Sequence, residues 1–180
     1  MQTKEYSMEK RYEEFTGGDG YLRNFLREWI SRGEISSSNE EYSQVATFFC
    51  YFIAFNYLYN TFSYNVYRDT KCRESEQIKR FVDFCTGAGK GFITKLEAFN
   101  PFPLLPPDAE IFSQVKNMRY CKNSNKQNFE PHKSINDLFL NIYQVRCNLF
   151  HGSKAMVSLR DKNLVKESNI VLKHLLDCFL

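Results

Sequence analysis

Residues 45–59 set the strongest limit on what this chain can fold into. They form a fifteen-residue apolar run interrupted at Asn56, below the roughly 18 residues of a membrane span. Val45, Phe48, Phe49, Phe52, Phe55, Tyr59 and Phe62 fit one broad helical face, and Cys50, Tyr51 and Ile53 widen it beyond an amphipathic stripe. A helix apolar on most sides sits at the centre of a fold or in an interface. The spacing predicts such a helix over residues 40–63.

Composition points the same way. The chain is 43% hydrophobic and 25% charged, which excludes disorder over most of its length. Seventeen Phe, eleven Tyr and one Trp bring aromatic residues to 16%, and these bury much area each. Only eight Gly and five Pro are present, too few for a many-turned sandwich or barrel. An all-α fold is expected. At 180 residues the chain fits a single domain, read here as an N-terminal extension (1–39) and a core (40–180).

Further helices follow from local pattern. Tyr21, Leu22, Phe25, Leu26, Trp29 and Ile30 recur at helical spacing up to Gly33, and residues 35–39 read as a loop. Ile78, Phe81, Val82 and Cys85 mark a helix over 75–85. Four of the five prolines fall within 100–108, a stiff connector, with a short helix expected over 108–119 and a polar loop after it. Ile135, Leu138, Phe139, Ile142, Val145 and Leu149 mark a helix that Gly152 would end. Leu164, Val171, Leu175 and Cys178 mark the last one.

Charge excludes little, because a net +3 hides its own distribution. The first fourteen residues are charged throughout and lack the apolar stretch of a signal peptide. Six cysteines, at 50, 72, 85, 121, 147 and 178, form no close pair and read as reduced, mostly buried thiols. A cytoplasmic protein with no membrane association is the expectation.

Most chemical motifs fail on inspection. Residues 86–91 (Thr-Gly-Ala-Gly-Lys-Gly) invite a phosphate-loop reading, but Phe84 and Gly91 stand where that loop needs Gly and Ser or Thr. His132, His151 and His174 share no ligand spacing with one another or with a cysteine, so no metal site and no cofactor is expected.

One segment remains. Residues 142–154 place Arg146, Asn148 and His151 within six residues at a helix end. Asn148 and His151, three apart, share a face, whereas Arg146 and His151 lie about 140° apart on an ideal helix. Arg146 offers fixed charge and forked donors for a phosphate. His151 offers a group that takes and gives a proton near neutral pH. Arginine with histidine suits RNA cleavage by its own 2′-hydroxyl, in which an imidazole takes the hydroxyl proton and a cation stabilises the phosphorane. A surface arginine and a helix-capping histidine fit the same spacing.

The wording Val-Arg146-Cys-Asn148-Leu-Phe-His151-Gly-Ser-Lys154 resembles the motif of the HEPN superfamily, an Arg followed after four to six residues by His. Residues 52–60, Phe-Ile-Ala-Phe-Asn56-Tyr-Leu-Tyr-Asn, look like the aromatic-Asn-x-Leu-Tyr pattern of that family's first core helix. The two segments cover about a tenth of the chain. The resemblance implies a HEPN-like bundle of about four to six helices and a homodimer with one composite, metal-independent endoribonuclease site. It implies His151 as general acid or base, with the partner's His151 in the complementary role, and Arg146 as the phosphate holder. Asn148 would orient His151 or the ribose, Lys154 would support RNA binding, and Asn56 would either support it from the cleft or be a hydrogen-bonded core residue. An RNA substrate and a toxin–antitoxin or phage-defence setting, with an antitoxin or defence partner, follow from the same resemblance. Ser153 stands where nucleotidylated relatives carry Tyr, so control through that residue is not implied. The alternatives are a catalytically silent HEPN-like module that binds RNA, nucleotide or protein, and an unrelated helical protein whose exposed aromatics dock a partner helix.

Overall fold

The computed structural model describes residues 20–37, 43–69, 71–85, 135–150 and 159–180. Within them lie five α-helices and a π-helical turn, and no strand. The helices are α1 (Gly20–Ser37), α2 (Ser43–Phe62), α3 (Glu74–Cys85), α4 (Ile135–Phe150) and α5 (Leu159–Asp177). The all-α helical bundle expected from composition is therefore the fold. No helix among the described residues is long and apolar enough to cross a membrane.

Helix α2 is central, as its all-round apolar sequence predicts. It lies against α1 and α5 and touches α3, while α3 pairs with α4. Its Phe48, Phe55, Tyr59 and Phe62 are wholly buried, together with Phe81 of α3 and Phe139 of α4. The Phe55 ring lies 5.3 Å from Phe139 and 6.0 Å from Phe81, and Phe62 lies 4.6 Å from Phe84. These spacings are the range in which tilted and edge-on rings attract beyond simple area burial. Aromatic side chains thus join three helices at one point. Leu22, Leu26 and Ile30 of α1 enter the same core, so a helix within the segment read as an extension is packed like the rest.

The chain departs from expectation at Gly33. Its position after a periodic stretch reads as a stop, yet α1 continues to Ser37 through part of the segment read as a loop. The glycine serves packing instead. A Cβ at this position would lie within 2.8 Å of Cδ1 of Tyr51 and closer still to its Cε1. The bare backbone lets α2 approach, and Thr47 of α2 donates its hydroxyl to the Gly33 carbonyl at 3.0 Å. A further tie comes from α5, where Asn169 Nδ2 donates to the Gln44 carbonyl at 2.9 Å.

After α2 the chain reverses tightly. Ser63–Tyr67 form the π-helical turn, which Arg68 ends in the left-handed region at φ 53°. Arg80 of α3 braces this corner, reaching Asp69 at 3.3 Å and Glu76 at 3.2 Å, with its guanidinium 4.9 Å from the Tyr67 ring centre. The reversal brings the first turn of α3 alongside the second half of α2, and that placement builds the site below.

One expectation needs correction, and others fall outside the described residues. Of the five described cysteines, only Cys85 is buried; Cys50, Cys72, Cys147 and Cys178 are partly exposed. The charged N-terminal arm, the glycine-rich segment 86–91, the proline connector, the 108–119 helix and the polar loop after it lie outside the described residues.

Candidate functional site

Three helices converge on one carboxylate. Glu74 opens α3, and its Oε1 accepts from Asn56 Nδ2 at 3.2 Å and from the Tyr59 hydroxyl, both on α2. Its Oε2 lies 4.0 Å from Nη1 of Arg146, on α4. Tyr143, one turn before Arg146, lies near enough to Glu74 and Cys147 for both to raise its hydroxyl above the ordinary range, after burial as the main cause. Asn56 also donates to Tyr59 and accepts from Asn60 Nδ2 at 2.9 Å, which fixes the direction of its amide.

The helical periods explain the meeting. Asn56, Tyr59 and Asn60 are spaced i, i+3, i+4 and share one face of α2. Tyr143, Arg146, Cys147 and Phe150 repeat the same logic on α4, at i, i+3, i+4 and i+7.

Arg146 is half-buried and held by two ring contacts as well as by the carboxylate. Its guanidinium carbon lies 4.7 Å from the Phe150 ring centre and 5.6 Å from that of Phe52. Both distances fall within the reach of cation–π attraction, roughly 6 Å. Phe150 is 60% exposed and is itself set by an edge contact with Phe49 at 4.8 Å. The Arg146 Nε is buried and has no hydrogen-bond partner among the described residues. The guanidinium is therefore clamped by two rings and a distant carboxylate, with one donor unused.

Both tyrosines stay protonated well past their ordinary range. For Tyr59, burial raises the hydroxyl first, and the hydrogen bond to Glu74 and its charge raise it further. For Tyr143, burial is again the main cause, followed by the neighbouring Cys147 and Glu74. An ionised phenol beside Glu74 would place two anions together at a partly buried site, so each phenol keeps its proton past the ordinary range.

The residues named from the sequence separate into three groups. Asn56 and Arg146 are brought together through Glu74. Asn148 is buried in the bundle, its Oδ1 accepting from Gln144 Nε2 at 2.9 Å. It stands about 200° round α4 from Arg146 on an ideal helix, so it belongs to the interior face rather than to the Glu74 face. His151 and Lys154 lie outside the described residues.

Sequence reasoning missed Glu74, Tyr143 and the two rings that clamp Arg146. Tyr143 and Phe150 carried a readable signal, since they flank Arg146 at i−3 and i+4. Glu74 carried none, because an acid in the first turn of a helix is ordinary favourable placement against the helix dipole. Among the described residues no three His, Cys, Asp or Glu side chains gather as metal ligands would. Comparison of the chain with protein-family models, with curated proteins and with solved structures finds no match to any of the three.

Proposed function

We propose that this protein is a HEPN-like endoribonuclease that cleaves single-stranded RNA without a metal, at a composite site formed by two copies of the chain. The observation that carries the reading is the meeting of Asn56 and Arg146 on Glu74. These residues come from the two sequence segments that resemble the family, and they converge on one face although they are far apart in the chain.

The chemistry follows from the side chains. His151 takes the proton of the ribose 2′-hydroxyl, whose oxygen bonds to the adjacent phosphorus. Arg146 holds the phosphate and offsets the charge that gathers on the phosphorane. The bond from phosphorus to the 5′-oxygen breaks, and the partner's His151 protonates that leaving oxygen. The products carry a 2′,3′-cyclic phosphate and a 5′-hydroxyl. Asn56 and Lys154 support binding of the strand. Cleavage of this kind in the cytoplasm halts growth, which fits a toxin–antitoxin or phage-defence role with a cognate partner protein.

One observation favours a second reading, a silent binding module. Arg146 already faces a carboxylate, so part of its charge is answered before any phosphate arrives. The deciding experiment compares wild type, Arg146→Ala and His151→Ala on single-stranded RNA in EDTA, after each is shown to be folded and of the same oligomeric state. Cyclic-phosphate ends from wild type alone support the ribonuclease. A folded dimer of wild type that binds RNA and leaves it intact supports the silent module.

A further inference from the structure

We propose that Glu74 is the positioning residue of this site, an internal counter-ion that fixes the Arg146 guanidinium at the cost of weaker ground-state attraction for RNA. The inference rests on the ribonuclease reading above and assigns a role to a residue that reading does not use.

The geometry separates two possible duties of a carboxylate beside an arginine. A proton-transfer group needs a lone pair open to substrate. Glu74 instead takes Asn56 and Tyr59 on Oε1 and has Arg146 opposite Oε2 at 4.0 Å. A carboxylate offers about four acceptor positions; two are filled on Oε1, and the other oxygen faces the guanidinium. Glu74 is therefore an anchor, itself anchored by Asn56 and Tyr59.

Its hold on Arg146 is loose by design of distance. At 4.0 Å the pair lies at the limit of an ion pair rather than in the close forked contact arginine makes with a free carboxylate. Glu74 and Arg146 each leave about 29% of their side chains exposed. Phe52 and Phe150 restrain the guanidinium plane, Glu74 restrains its rotation, and the Nε–H is left unused. The Nε–H is closed off from solvent, so a phosphate meets the exposed part of the side chain, about 29% of it, while the carboxylate stays in place. The negative charge nearby still repels the phosphate, so orientation is gained and affinity is lost.

This arrangement predicts a split that a merely structural glutamate would not show. Glu74→Gln keeps the shape and an acceptor for Tyr59 but removes the charge. Turnover is expected to fall by roughly 10–100-fold, the scale set by small misplacements of a catalytic group. KM for RNA is expected to fall as well, by about two- to fivefold, because phosphate repulsion is relieved. Glu74→Asp, which keeps the charge on a shorter stem, is expected to retain the wild-type KM with an intermediate turnover.

The experiment measures kcat and KM for wild type and both variants, with unfolding midpoints to confirm folding. It also follows the Arg146 Nε–H signal in nitrogen-15 spectra, assigned through Arg146→Lys. A shifted, slowly exchanging wild-type signal that returns to the free-arginine position in Glu74→Gln supports the anchor. An unchanged signal in a folded Glu74→Gln overturns it, as does unchanged or raised turnover. Wild type that leaves RNA intact overturns the ribonuclease reading and the catalytic half of this inference, while the spectra still decide whether Glu74 holds the guanidinium.

Discussion

Asn56 and Arg146 face opposite oxygens of a single carboxylate: Asn56 Nδ2 stands 3.2 Å from Oε1 of Glu74, and Arg146 Nη1 stands 4.0 Å from Oε2. The relationship exists because the corner at Ser63–Tyr67 returns the chain onto α2, while α3 carries α4 beside it. The site is thus a property of helix order as much as of any one residue.

Phe150 tests whether the ring clamp on Arg146 matters. The ring is largely exposed, so Phe150→Ala is expected to cost the fold about 1 kcal/mol or less, the scale of a cation–π contact near solvent. RNA cleavage is expected to fall much more than stability, since the guanidinium loses the nearer of its two ring contacts. Urea unfolding and initial rates on the same preparation check this, and a parallel loss of both would show that the ring serves packing alone.

Gly33 is expected to resist even the smallest substitution. In Gly33→Ala the new methyl meets the buried Tyr51 ring, and α1 or α2 must shift. Overpacking of this kind costs about 1–3 kcal/mol. Denaturant unfolding should show that loss, and Tyr51→Leu added to Gly33→Ala should recover part of it. A Gly33→Ala protein as stable as wild type would contradict the packing role.

Asn141 is an opposite case. It is 1% exposed on α4, and neither amide atom has a hydrogen-bond partner among the described residues. A buried polar group left unsatisfied costs about 1–3 kcal/mol. Asn141→Leu, of similar shape, is expected to raise stability by about 1–2 kcal/mol. Measured destabilisation would mean that the amide is paired in solution.

The tyrosines give a pH signature. Their hydroxyls are raised in the folded state, Tyr59 chiefly by burial and then by Glu74, Tyr143 chiefly by burial and then by Cys147 and Glu74. The unfolded chain releases these protons from about pH 10. Above that pH the native state holds more protons than the unfolded one, so stability falls as pH rises. It is fully present below pH 10 in this respect. Unfolding midpoints between pH 8 and 11 should show the decline, with a shallower slope in Tyr59→Phe; an identical slope would remove Tyr59 from the account.

Much of this was legible in the sequence. The all-round apolar pattern of residues 45–62 gave α2 its central place, and the periodic runs gave α3, α4 and α5 within a few residues. Gly33 misled because glycine marks both helix ends and close helix contacts, and only the partner ring distinguishes them. Arg146 and Asn56 were legible as chemistry, whereas Asn148 was not separable from them, since the motif does not say which side of α4 is buried. Glu74 was invisible: its role depends on contacts among three helices, one of them, α4, reached only after a long stretch of chain, which no local spacing encodes.

The most direct test of the central claim is chemical. Wild-type protein in EDTA is given two strands of identical sequence, one of ordinary RNA and one of 2′-O-methyl RNA. The account predicts cleavage of the RNA alone, with 2′,3′-cyclic phosphate and 5′-hydroxyl ends, because the attacking oxygen belongs to the substrate. Cleavage of the methylated strand, or ordinary RNA left intact by a folded dimer, would contradict it.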